Sequence, residues 1–189
     1  MEANTLRKRN EIAAITELIE KADQAGEKLG RTQLMKFLFM LKAVKGVPLN
    51  YNFSLYTYGP FDSEVLDDLA YAEQLGAIRS QVEVFPKGYQ YRFSIGEKAK
   101  TILDSNADFL GKYSKIFEWV LGEFGHRDAS ELEMVSTLLF VDMAASERKD
   151  KISRDQLVSK VTDIKPNIPR KKIEEAVLAL QGKGMIAAT

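Results

Sequence analysis

Ile78-Arg79-Ser80-Gln81-Val82-Glu83-Val84-Phe85-Pro86-Lys87-Gly88-Tyr89-Gln90-Tyr91-Arg92-Phe93-Ser94-Ile95 is the stretch on which the reading of the fold turns. Val82 and Val84 alternate with polar residues on one arm, and Tyr89, Tyr91 and Phe93 alternate on the other. Pro86-Lys87-Gly88 between them has turn chemistry, so the two arms read as a β-hairpin. Upstream, Ile12, Ile15, Leu18, Ile19 and Ala22 recur at three- and four-residue steps between about Leu6 and Ala25, an amphipathic helix closed by Gly26. Leu34, Met35, Phe37, Leu38, Phe39, Met40 and Leu41 cover nearly every side of a second helix, about Thr32 to Ala43, which is therefore expected to be central. Lys36 and Lys42 are expected to snorkel from its edges. Tyr51 to Tyr56 alternates as a short strand, and Tyr58-Gly59-Pro60-Phe61 turns the chain into a third helix, about Phe61 to Leu75, with the proline in its first turn. Three helices followed by a hairpin is the winged-helix order.

Downstream, a helix around Glu97 to Leu103 leads to a longer one, about Ala107 to Phe124. Its apolar stripe suits a connector packing both halves. The last third repeats the first in outline. Helices are expected near 129–145, over about 154–161 capped by Ser153, and from Pro169 to near Gly182. The expected fold class is mainly α with a small β component. An N-terminal winged helix-turn-helix unit spans residues 1–104, a connector helix 105–125, and a C-terminal helical helix-turn-helix-like unit 126–189.

Leu34-Met35-Lys36-Phe37-Leu38-Phe39, Tyr58-Gly59-Pro60-Phe61, Asp67-Asp68-Leu69 and Leu75-Gly76-Ala77-Ile78 resemble YwgA-type uncharacterised bacterial and archaeal proteins. Ser130-Glu131-Leu132-Glu133, Lys165-Pro166 and Met185-Ile186 continue that likeness. More distantly, the first half is similar to the Panacea domain of SocA-type antitoxins. The resemblance implies a helical, partly winged fold and a non-catalytic role. The Panacea side implies neutralising a protein toxin by direct contact.

With 189 residues, 45% apolar and 29% charged, the chain can bury a real core. Lys+Arg and Asp+Glu are both 27, so no bulk charge drives it onto nucleic acid or an anionic membrane. The absence of cysteine removes disulfides and thiol chemistry and fits a reducing cytoplasm. Arg7, Lys8 and Arg9 run into an amphipathic helix rather than an apolar h-region, so no signal peptide is expected. The apolar cluster Leu34 to Leu41 is broken by Lys36 and too short to span a bilayer. A soluble cytoplasmic protein without a membrane partner is expected.

Catalytic chemistry finds little footing. The one histidine, His126, lies between two helices with Asp128 and Ser130 nearby in sequence, a pattern that more often caps a helix than builds a general base. One histidine also makes a usual zinc site improbable. Glu64, Asp67 and Asp68 suggest an oxygen-ligand cluster, but adjacent helix residues point about 100° apart. A solvated acidic face is the plainer reading. Gly26-Glu27-Lys28-Leu29-Gly30 lacks the spacing and the preceding strand of a phosphate loop. No catalytic residue, metal or cofactor is expected, and a hydrolase or nuclease is the weakest of the alternatives.

Charge divides the chain instead. The third helix carries Asp62, Glu64, Asp67, Asp68 and Glu73 and no lysine or arginine, which is repulsive toward a groove lined by phosphates. Between Arg148 and Lys172 stand nine basic residues against three acidic ones, net +6. Arg170, Lys171 and Lys172 fall in the first turn of the last helix, where a docked helix-turn-helix reaches base edges. Arg154, Arg170, Lys171 and Lys172 are thus the candidate nucleic-acid residues. Tyr58, Phe61, Asp62, Glu64 and Asp68 are the candidate protein-binding residues. Tyr51, Phe53, Tyr56, Tyr58 and Phe61 suggest base stacking, or packing between strand and helix. The reading is a regulatory binding protein with a protein partner at its winged unit and duplex DNA as a candidate partner of its basic unit. An antitoxin-like protein that never touches DNA is the alternative, and a homodimer stays open.

Overall fold

The computed structural model describes residues 2–86 and 88–188, with residues 2–9 described by their backbone alone. Lys87 and the side chains of Arg7, Lys8 and Arg9, which entered the sequence reading, lie outside the described residues. The chain is mainly helical, with a small β component of two separate two-stranded antiparallel sheets among the described residues. No helix among them is long and apolar enough to cross a membrane.

Two compact units divide the chain: residues up to 52 with 62–126, and 53–61 with residues from 127 onward. In the first unit α1 (Glu2–Gln24) buries Ile12, Ile15, Leu18, Ile19 and Ala22, the stripe its periodicity marks. That face meets α3 (Ser63–Gln74), α4 (Ala99–Asp104), α5 (Ala107–Phe124) and the hairpin of β3 (Ile78–Phe85) and β4 (Gly88–Ile95) through β4. α2 (Arg31–Ala43) is buried without a break from Leu34 to Leu41. Burying an apolar side chain this fully contributes roughly 1.5–3 kcal/mol. Lys36, 2% exposed, is inside that run rather than at its edge. Lys42 is half-buried because its ammonium donates to the Tyr51 carbonyl.

Two expectations for this unit change. α3 begins at Ser63, not Phe61, because the Asp62 side chain accepts the Glu64 N–H at 3.0 Å and caps the helix. α5, expected as a connector between halves, belongs to the first unit, where Leu110, Phe117, Val120 and Phe124 are buried and the helix packs on α1 and α2.

In the second unit α6 (Ala129–Glu147) is the central helix, apolar around most of its circumference. It packs against α7 (Arg154–Ile164) and α8 (Arg170–Gly182). The Ser153 hydroxyl accepts the Gln156 N–H at 3.2 Å, while Gln156 Oε1 accepts the Ser153 N–H at 2.9 Å, a reciprocal cap that fixes where α7 starts. The sequence boundary at residue 104 placed 53–61 with the first unit, but this segment packs with the second. It is a hairpin of β1 (Ser54–Tyr56) and β2 (Gly59–Phe61), so Pro60 sits on a strand opposite Leu55 instead of in the first turn of α3.

Gly59 adopts φ +89°, and a Cβ there would lie 3.0 Å from Thr137 Oγ1 and 3.2 Å from Ser136 Oγ on α6. Only glycine permits that approach in that conformation. Lys165, 7% exposed, locks the same hairpin: its ammonium donates to the Thr57 carbonyl at 2.7 Å and lies 3.4 Å from Glu133 Oε2. The Tyr-Gly-Pro-aromatic element is therefore a clasp on α6.

Candidate functional site

The β3–β4 hairpin pairs Ile78 with Ile95, Ser80 with Phe93, Val82 with Tyr91 and Val84 with Tyr89. Strand side chains alternate between faces, so these eight share one face. Ile78 (0% exposed) and Phe93 (2%) make that face the one turned to the core at the hairpin's root. The root is tied down: the Phe93 N–H donates to the Leu29 carbonyl and the Ser80 N–H to Glu73 Oε1, at 2.9 and 2.8 Å. Further out the same face leaves the body of the unit. Val82 is 53% exposed, Val84 82% and Tyr89 67%. Tyr91 is half-buried beneath the Arg31 guanidinium, 3.4 Å from the ring centroid, and meets Tyr89 edge-on at 5.9 Å. The opposite face is polar except at the tip, where Phe85 is exposed, and on it Arg92 and Glu83 pair at 3.1 Å.

Isolated exposed apolar residues are ordinary, but a contiguous row that continues a core face into solvent is not. Sequence alternation found the hairpin. It did not single out Val82, Val84 and Tyr89, because nothing local marks where the body of the unit ends beneath a strand.

The acidic helix is less of a surface than its composition suggests. Asp62 caps α3 and also accepts the Asn52 N–H. Asp68 is 4% exposed and accepts the Tyr51 hydroxyl at 3.1 Å, so it is not a surface contact. Glu73 accepts both the backbone N–H and the hydroxyl of Ser80. Glu64 and Asp67 remain as exposed carboxylates without such a role. The protein-binding set also splits between units, since Tyr58 and Phe61 lie in the second and Asp62, Glu64 and Asp68 in the first. Tyr58 is 69% exposed, and the Phe61 ring meets that of Tyr56 at a tilt, 5.4 Å between centroids.

Beneath α3 a buried carboxylate went unnoticed in the sequence. Glu11 is 3% exposed; its Oε1 accepts the Asn50 N–H at 2.6 Å, while Oε2 is buried with no hydrogen-bond partner among the described residues. Loss of hydration, with Asp68 and Glu64 adding negative charge, raises its carboxyl above the usual range against the opposing Asn50 bond. Burial and the Asp68 carboxylate likewise push the Tyr51 hydroxyl upward. No cluster of three or more potential metal ligands occurs among the described residues. His126 is exposed, and Asp128, accepting the Glu131 N–H at 2.8 Å, is what caps α6.

The basic set is of mixed sign. Arg170 bonds Asp155, Glu174 at 2.9 Å and Ser159 at 3.2 Å, so each of its three nitrogens already has a partner. Arg154 shares a shallow cavity of about 610 Å³ between α7 and α8 with Asp155, Glu174, Val158 and Leu178. Lys165 belongs to the hairpin clasp. Lys171 and Lys172 are exposed in the first turn of α8 and form no ion pair among the described residues.

A mainly helical chain of two units, with an apolar hairpin overhang on the first, is what the geometry defines. No family model matches it. It is similar to the uncharacterized protein YwgA of Bacillus subtilis (strain 168), 26% identical over 159 residues that make up 84% of this chain and 93% of that protein. That similarity extends over most of the chain, and the relative's name carries no activity.

Proposed function

We propose that the chain is a non-catalytic regulatory binding protein whose first unit, read as a winged helix-turn-helix, grips a protein partner with its wing. The observation that carries this reading is the overhang of Val82, Val84 and Tyr89 on the face that is core at the root. Wings that track phosphates need cations, and this one offers aliphatic and aromatic carbon. Such a face gains by leaving water against another apolar surface. Exposed Glu64 and Asp67 on the neighbouring helix discourage nucleic acid at this unit.

Co-purification with the native chain, followed by reconstitution with the purified partner, tests it. Val84→Asp with Tyr89→Ser removes two anchors, each worth roughly 1.5–3 kcal/mol when fully buried. Affinity should fall at least thirtyfold with the fold unchanged; an unchanged affinity sinks the proposal. If the reconstituted partner is toxic alone and harmless beside this chain, the antitoxin-like alternative takes over the same surface.

A second reading, duplex DNA at the C-terminal helix-turn-helix-like unit, is favoured by exposed Lys171 and Lys172 at the start of α8. It rests on those two and Arg154, because Arg170 is engaged with Asp155 and Glu174.

A further inference from the structure

The two edges of the β3–β4 hairpin are not alike. In an antiparallel ladder the N–H and C=O of one residue point to the same edge, and successive residues alternate. On β4 the Phe93 N–H donates outward to the Leu29 carbonyl and the Ile95 N–H to Asp23 Oδ2, each at 2.9 Å, so that edge is closed at its root. On β3 the Ser80 N–H also points outward, to Glu73 Oε1 at 2.8 Å. Ser80 opposes Phe93 and Ile78 opposes Ile95, so the bonds between the strands run through Arg79, Gln81, Glu83 and Phe85. The N–H and C=O groups of Val82 and Val84 therefore face away from β4, and no hydrogen bond reaches them among the described residues. Glu73 stops this open stretch at the root, and Pro86, which has no N–H, stops it at the tip.

Edge strands are usually blunted by lysine, proline or a bulge. Between Ser80 and Phe85 the register is unbroken, and the stretch has neither lysine nor proline. It is also palindromic, Val82-Glu83-Val84, so an antiparallel copy of it meets it in kind. We propose that two copies of this chain join through β3, antiparallel about a two-fold axis at Glu83, into one continuous four-stranded sheet. Val82 of each copy then exchanges both main-chain bonds with Val84 of the other, and every open group of the stretch is filled. The branched side chains of that pair stand side by side on the apolar face, a favourable cross-strand contact, and the overhang doubles in width. The axis also brings the two Glu83 carboxylates together. Each already has Arg92 of its own hairpin at 3.1 Å, so the cluster is neutral. A register centred nearer the root would run the second copy into Glu73 where it holds Ser80. The second copy takes the edge and leaves the apolar face open, so the inference does not rest on a protein partner being seated there.

The chain has no cysteine, so single cysteines report the axis cleanly. Glu83→Cys sets two thiols opposite each other in a pair without main-chain bonds, Cα atoms about 4.5 Å apart and within disulfide reach. In the same pairing Gln81→Cys and Phe85→Cys each lie four residues from their own copy, about 14 Å along the strand. Oxidised with glutathione disulfide and read on non-reducing gels, Glu83→Cys should form covalent dimer at least tenfold faster than the other two. Sedimentation velocity of the unaltered chain should show a concentration-dependent dimer. Val84→Pro deletes an open donor while leaving the bonds to β4, and should weaken that dimer at least tenfold; should it fail to fold, the cysteine rates decide. Equal disulfide rates at the three positions, a faster rate at 81 or 85, a folded Val84→Pro chain that dimerises as tightly, or an unaltered chain that is monomeric at every concentration overturns the proposal. A monomer that still binds a protein through Val82 and Val84 would leave the proposed function standing, so the two readings fail separately.

Discussion

Gly59→Ala probes the clasp that holds the β1–β2 hairpin on α6. The new methyl would sit 3.0 Å from Thr137 Oγ1, 3.2 Å from Ser136 Oγ and 3.3 Å from the Glu133 carbonyl. Neither hydroxyl is free to rotate away, since both donate to that same Glu133 carbonyl, at 2.6 Å from Thr137 and 3.2 Å from Ser136. Positive φ in a residue with a Cβ costs roughly 1–2 kcal/mol. Overpacking a close contact adds roughly 1–3 kcal/mol. The second unit should therefore lose about 2–5 kcal/mol, read as a lower urea midpoint at unchanged slope by circular dichroism. Thr137→Ala in the same chain relieves the contact but not the dihedral, so the double variant should recover part of the loss and no more. A Gly59→Ala chain within about 0.5 kcal/mol of the parent would refute the clasp.

Glu11→Gln keeps the acceptor for Asn50 while removing a buried charge beside Asp68 and Glu64. The folded-state carboxyl lies above its unfolded value, so Glu11 supports the fold at low pH and opposes it as pH rises through the folded value. Glutamine should raise the melting temperature at neutral pH and flatten that dependence, by about 1.4 kcal/mol for each tenfold difference in proton affinity between the folded and unfolded chain; an unchanged pH profile of thermal melting contradicts it. Arg170→Ala should cost under about 1 kcal/mol in urea titrations, because its ion pairs face solvent. In duplex-DNA titrations at several salt concentrations it should change little, whereas Lys171→Glu with Lys172→Glu should weaken binding and flatten the salt dependence; the reverse order would show that Arg170 releases its carboxylates for phosphate.

Periodicity carried most of the helical fold. The steps of Ile12, Ile15, Leu18 and Ile19 and the cap at Ser153 place α1 and α7 from local signals alone, and alternation places β3 and β4. What went astray was long-range. Nothing local to 53–61 says that Gly59 meets Thr137, so the sequence groups the segment with its neighbours along the chain while the structure groups it with α6. At Pro60-Phe61-Asp62-Ser63 two start signals compete, proline in a first turn and aspartate as a cap, and the side-chain bond of Asp62 wins. The candidate surfaces suffered most. A row of carboxylates looks alike whether solvated or engaged, and only the fold distinguishes Asp68 beneath Tyr51 from Glu64 in solvent. Arg170 and Glu174 stand four residues apart on one helix, a pairing the candidate set left out, and Asp155 reaches the same guanidinium only through the packing of α7 on α8.

A photo-crosslinking residue placed singly at positions 81, 82, 83 and 84 of β3, beside the reconstituted partner, reads the proposed binding face directly. Strand alternation puts 82 and 84 on the apolar overhang and 81 and 83 on the polar side. Strong adducts from 82 and 84 with little from 81 and 83 are expected. Equal yields along the strand, or adducts from 81 and 83 instead, would contradict a partner seated on that face.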